Sequence, residues 1–188
     1  MPAMEPKVIH RWGVTPGEEA QTYRSDEVMP EAPSRWLHAV SVQAPAAAVF
    51  QRVCQLRAAP YSYDWIDNRG RRSPREVLPW CAELAAGQEI MTIFTLESFV
   101  LDVEVTMRTT PCRYETLFGA CTITYRVVPQ DSGGCRLISV VRAEDGRGPA
   151  VGLRRWLMCW CDTVMMRKQL RTLAALARKD AHAAEAAS

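Results

Sequence analysis

The chain has 188 residues, 48% apolar and 23% charged, with a net charge of +2. That is the make-up of one soluble domain large enough to bury a core, and so weak a positive balance supplies no basic face for a nucleic-acid partner. The seven cysteines are odd in number and none has zinc-ribbon spacing, so they read as reduced, small apolar residues rather than as a disulfide framework or a metal site.

No stretch approaches a membrane span, and the start, Met1 to Lys7, has no apolar signal segment; the expected location is the cytoplasm. Residues 1–34 carry Pro2, Pro6, Pro16, Pro30 and Pro33, which predicts an extended arm with a short helix over Gly17 to Tyr23. Trp12 and Tyr23 are its only large aromatic anchors, and a loose tail or a strap pinned by Trp12 both fit. A domain over 35–180 and a disordered tail over 181–188 complete the division.

Trp36 to Val42 reads as a strand. Pro45 then suits the first turn of a helix whose apolar residues Ala48, Val49, Val53 and Leu56 recur at helical steps, with Phe50 alongside, until Pro60 stops it. Tyr61 to Pro74 is too polar for core and too aromatic for a plain linker. Ser73-Pro74-Arg75-Glu76 has the pattern of a capped helix start, predicting a short helix from Pro74 to about Leu78. Strands follow at Glu89 to Leu96 and at Phe99 to Arg108, where Leu101, Val103, Val105 and Met107 alternate with Asp102, Glu104, Thr106 and Arg108. Tyr114 to Val128 is a long strand or two. Asp131-Ser132-Gly133-Gly134 is a hairpin turn, and Cys135 to Ala143 returns.

From Pro149 to Lys179 nothing interrupts a helix of about seven turns. Trp156, Cys159, Thr163, Met166, Leu170, Leu173 and Ala177 draw one apolar stripe. Leu153, Leu157, Trp160 and Val164 form a second row about a quarter to a third of a turn away. That second row fits either a wider core contact or a roof, with Trp156 and Trp160 closing a cavity.

A meander of strands with one polar face must cover its other face, and the last helix is the only element long enough to do so. The predicted class is α+β, a curved antiparallel sheet wrapped around a long C-terminal helix. This order resembles the helix-grip superfamily, the SRPBCC or START-like group that includes polyketide cyclase/dehydrase-like proteins. The resemblance covers about residues 36–179 and rests on the strand-to-helix entry Val42-Gln43-Ala44-Pro45-Ala46-Ala47-Ala48-Val49-Phe50 and on the final helix. Ala59-Pro60-Tyr61-Ser62-Tyr63-Asp64-Trp65-Ile66-Asp67-Asn68 and Met165-Met166-Arg167-Lys168-Gln169-Leu170 further resemble an uncharacterised bacterial subgroup. The resemblance implies a cavity between sheet and helix for an apolar or amphipathic small molecule, and no particular reaction.

The three histidines, His10, His38 and His182, are too few and too scattered for a Ser/His/Asp or Cys/His device, and no phosphate-binding loop is present. The expected partner is therefore a small apolar or aromatic ligand, with no cofactor and no metal. Phe94, Val103, Val105, Ile123 and Tyr125 are expected to line the cavity, facing Trp156, Trp160 and Val164, with Tyr63 and Trp65 at its mouth. Tyr125 brings a hydroxyl that needs a partner among apolar neighbours. For catalysis the candidates are Asp64, Asp67 and Tyr63, as acid/base groups at the mouth. The bland alternative is that Asp64 caps a turn, Trp65 plugs the core and Asp67 pairs with Arg71 or Arg72. The leading function is non-catalytic carriage or sensing of the ligand. The alternatives are a cyclase- or dehydratase-like enzyme, favoured by a carboxylate facing an apolar cavity, and an interaction module whose cavity its own side chains fill.

Overall fold

The computed structural model describes residues 10–68, 70–111, 115, 119–131, 133–146 and 151–186, without the side chains of Ile66 and Asp67. Pro2, Pro6, Tyr114, Ser132 and Pro149, which enter the sequence readings above, lie outside the described residues. Seven strands form one sheet: β1 (Arg11–Trp12), β2 (Ser34–Val42), β3 (Glu89–Ile90), β4 (Phe94–Val100), β5 (Glu104–Thr109), β6 (Cys121–Pro129) and β7 (Cys135–Ala143). Their spatial order is β1-β2-β7-β6-β5-β4-β3. Only the β1–β2 pair is parallel.

The α-helices set out among the described residues are α1 (Pro16–Ala20), α2 (Arg24–Val28), α3 (Ala46–Cys54), α4 (Asp64–Asp67) and α5 (Val151–Ala186). The last runs on through Ala186, past the expected end at Lys179, because Ala183, Ala184, Glu185 and Ala186 are all good helix formers. Its buried residues Cys159, Met166, Gln169, Leu170, Leu173, Ala174, Leu176 and Ala177 turn inward, where the helix packs against both the sheet and α3.

Three expected elements differ. The alternation from Phe99 to Arg108 is not one strand. Leu101 to Val103 form the turn between β4 and β5, with Asp102 at φ 59°. Aspartate tolerates this left-handed conformation better than most residues, so the chain turns without a glycine or proline to announce it. Likewise Met91 and Thr92, at φ 50° and 68°, break the expected strand Glu89 to Leu96 in two. The helix predicted after Ser73 is absent. Ser73 instead serves the preceding loop, and a short 3₁₀ turn follows later at Pro79–Ala82.

The polar face of the sheet is not left to solvent, because the N-terminal arm covers it. Tyr23 is fully buried there against Leu37, Ala39, Ile138 and Val140, and its hydroxyl donates to the Glu18 carbonyl at 2.8 Å. The outward arginines hold the arm down. Arg136 grips Glu18 through two nitrogens (2.7 and 2.9 Å), Arg35 binds Asp26, and Arg142 donates to the carbonyls of Met29, Pro30 and Ala32. Trp12 meets the main core and lies under Arg167 and Arg171 of α5. The arm is thus a strap, pinned by Tyr23 and by arginines as much as by Trp12.

Candidate functional site

Strand register places the inward side chains in rows across the concave face. One row runs His38, Ser139, Tyr125, Val105, Phe99, each residue paired with the next across a strand boundary. The next row runs Trp36, Val141, Ile123, Met107, Leu96. Inward residues of α5 cross above these rows. An apolar sheet face under an apolar helix would make an ordinary core, but here the first row carries an imidazole, a hydroxyl and a phenol, and the helix adds a carboxyl.

Tyr125 is fully accounted for. Its hydroxyl donates to Gln169 Oε1 at 2.5 Å, and Gln169 Nε2 donates to the Pro60 carbonyl at 2.6 Å. Burial pushes the phenol well above its ordinary range, so it stays protonated. The other end of the row is not satisfied among the described residues. His38 is wholly buried, and neither of its ring nitrogens has a hydrogen-bond partner. Its Nε2 lies 3.7 Å from Asp162 Oδ2, beyond hydrogen-bond length, and that oxygen also lacks a partner. Trp36 Nε1 and Ser139 Oγ are likewise buried and unpartnered.

Burial moves both titratable groups toward neutrality. It raises the Asp162 carboxyl from 3.8 to about 8 and, with help from nearby His10, lowers the His38 imidazole from 6.5 to about 4. Near pH 7 the pair is therefore a largely protonated acid beside a neutral base. The Asp162 side chain keeps 13% exposure and His38 none, while the carboxyl oxygen facing the imidazole, Oδ2, is itself buried. One turn back on the helix, Cys159 Sγ sits 3.3 Å from His10 Nδ1, and the His10 ring stacks on Trp36 with centroids 6.4 Å apart. Among the described residues no group of three or more potential ligands could hold a metal ion.

The structure distributes the expected site residues unevenly. Phe94, Val105, Ile123 and Tyr125 are buried in the core of the concave face. Val103 lies in the β4–β5 turn, 43% exposed, since the chain has left the strand there. Trp156, Trp160 and Val164 are 46%, 43% and 46% exposed. At 3.6 residues per turn, Trp160 and Val164 lie roughly 100–140° round α5 from the buried stripe of Cys159, Met166 and Leu170 and face outward, so they do not roof the space between helix and sheet. Trp65 is 75% exposed, neither core plug nor cavity wall, because the polar loop that carries it closes on itself rather than folding over the sheet. Tyr63 is half-buried where α4 begins.

Asp64 is spent on structure. It accepts from the Ser73 amide at 3.0 Å and from the Ser73 hydroxyl at 2.5 Å, closing the loop. Asp67 ends α4, and its side chain lies outside the described residues. The residues that sequence reasoning missed are His38, Asp162 and Gln169. The available signal was a charged and an amide residue lying on the inward stripe of a helix, three and seven positions after Cys159 and Asp162 respectively.

An open groove of about 700 Å³ lies elsewhere, lined by Ala47, Ala48, Phe50, Leu101, Ala181 and Asp180 among others. Its Asp180 is already bound through both oxygens to the buried Arg52 (2.5 and 2.7 Å). The unsatisfied chemistry is in the interior row, and that row is the candidate site.

A mostly antiparallel curved sheet gripping a long C-terminal helix is the helix-grip fold, and this chain has it. Solved structures that match include a protein from Thermobifida fusca, 15% identical over 77% of this chain and 93% of that one, with a TM-score of 0.50. Others are an aromatase/cyclase from Streptomyces sp. R1128 (16% identical, 77% and 93% covered, TM-score 0.49) and a di-domain aromatase/cyclase of the steffimycin biosynthetic pathway (11%, 83% and 54%, TM-score 0.47). Likeness at this level of identity concerns the fold alone. No family model matches the chain, and no curated protein matches it.

Proposed function

We propose that this protein binds a largely apolar or aromatic small molecule between the concave sheet face and α5, and holds the molecule's polar end at His38, Asp162, Ser139 and Trp36. One observation carries this reading. Four neighbouring residues present buried polar atoms with no partner among the described residues, at a place where apolar side chains would have packed at no such cost. Binding sites combine apolar walls with a few convergent polar groups in this way. With a protonated carboxyl, an indole N–H and a hydroxyl as donors and an imidazole nitrogen as acceptor, the fitting polar end is an uncharged carbonyl, enol or phenol. The groups of the row recognise and orient; carriage or sensing needs no more.

The test is native mass spectrometry of protein purified from its source cells, followed by organic extraction. A stoichiometric apolar or aromatic compound is expected, with affinity falling at least about tenfold in His38→Ala through the lost polar contact. Protein that is always empty, and that takes up nothing from a panel of lipids and aromatic polyketides, overturns the reading.

A second reading is favoured by the Asp162–His38 geometry. A carboxyl still protonated near neutral pH beside an unprotonated imidazole is a matched acid and base, as a cyclisation or dehydration would use. These groups take the role that the sequence suggested for Asp64, Asp67 and Tyr63. If a bound ligand is turned over, Asp162→Asn lowers kcat by about 100-fold or more while leaving binding nearly intact; equal turnover by the variant removes Asp162 from the chemistry.

A further inference from the structure

The outward side of α5 has its own pattern, unrelated to the interior row. Leu153, Leu157, Trp160 and Val164 follow one another at steps of four, three and four residues, the spacing of a coiled-coil seam. They are 65%, 50%, 43% and 46% exposed. Trp156, 46% exposed, flanks the row and meets Trp160 edge-on, with ring centroids 6.1 Å apart. Isolated exposed leucines are common on proteins, whereas a continuous patch of five large apolar side chains, the row and Trp156, marks a contact surface.

We propose that this row is the seam of a symmetric homodimer, in which α5 packs antiparallel against α5 of a second copy. The pairing is centred between Leu157 and Trp160. It sets Leu157 against the partner's Trp160 and Leu153 against the partner's Val164, so every member of the row finds an apolar counterpart.

Charge selects both the occupant and the direction. A parallel pair would bring Arg154 and Arg155 beside their own copies; the antiparallel pair carries them to opposite ends of the seam, with Arg154 across from Thr163 of the partner subunit. An anionic membrane surface is the less suitable occupant, since Arg155 at the edge of the row is already engaged by Asp145 at 3.3 Å. Five side chains of this size, each 43–65% exposed, present roughly 500 Å² per protomer, so the pair removes on the order of 1,000 Å² from water, the lower end for a specific interface. The dimer is accordingly a reversible one, with dissociation in the micromolar range.

The test is sedimentation velocity on the full chain across about 1 to 100 μM, the range in which an interface of this size titrates. The 21.1 kDa monomer should give way to a species of twice that mass as concentration rises. Leu157→Glu and Trp160→Glu each bury a charge against the partner's apolar side chain and should raise Kd at least about tenfold. Both sites are exposed, so these variants should keep the parent's circular dichroism. Arg178→Glu, on the same outward side beyond the row, should leave Kd unchanged. Direction is read by oxidative cross-linking in a Cys161→Ser background. Chains with Leu157→Cys mixed with chains carrying Trp160→Cys should form mixed disulfide dimers in excess over either homodimer. A chain that stays monomeric throughout, including one whose row instead carries it onto lipid vesicles, overturns the proposal. So does a dimer indifferent to both glutamates, or an excess of like-with-like disulfides.

Discussion

Replacing Asp162 by Asn should change how stability depends on pH, and the interior row sets the size of the change. The Asp162 carboxyl has a folded value of about 8 against an ordinary 3.8. The unfolded chain loses this proton early and the folded protein keeps it, so the contribution of Asp162 is complete below 3.8 and drains away as pH rises to 8. His38 runs the other way, with a folded value of about 4 against 6.5. Its contribution is complete above 6.5 and is lost as pH falls toward 4. Each slope is about 1.4 kcal/mol per pH unit. Between pH 4 and 6.5 the two cancel. From 6.5 to 8 only the Asp162 slope remains, and the stability of the parent should fall by roughly 2 kcal/mol. In Asp162→Asn that fall disappears, and the uncancelled His38 slope appears below it as a rise of up to about 3 kcal/mol from pH 4 to 6.5. Urea unfolding at half-unit pH steps measures both. The difference between parent and variant is the quantity to read, because other groups cancel from it. A difference that stays flat between pH 6.5 and 8 would refute the idea that Asp162 is held protonated by burial.

Three further outcomes follow from single contacts. Gln169→Leu strands the Tyr125 hydroxyl and the Pro60 carbonyl in the core and should cost about 2–3 kcal/mol; adding Tyr125→Phe should recover part of that loss in a double-mutant cycle. Arg52→Met removes the buried partner of Asp180 and should cost about 2 kcal/mol, less than for a fully buried pair because Asp180 is 28% exposed; thermal melts measure it. Tyr23→Ala empties the anchor of the N-terminal strap and should cost about 3 kcal/mol, with limited proteolysis cutting the arm before the sheet.

The alternation of Cys135 to Ala143, the helical steps of Ala48 to Leu56 and the uninterrupted final helix together determined the class of fold. Periodicity reports which residues share a face, and for these elements the faces are unambiguous. It does not report which of two apolar faces meets the sheet. On α5 the stripe through Cys159, Met166 and Leu170 turns inward, while the row through Leu157 and Trp160 turns out, and only packing against β2 and α3 decided between them. Nor does alternation register a turn made by Asp102 in place of glycine. Tyr125 was legible as a buried hydroxyl in search of a partner. Its partner Gln169, and the proximity of His38 to Asp162, were not. A polar residue on an inward helix stripe looks like a break in the pattern until the fold brings a second polar residue to it. His38 and Asp162 are separated by most of the chain, and their proximity is a product of strand register and helix placement, which no local pattern encodes.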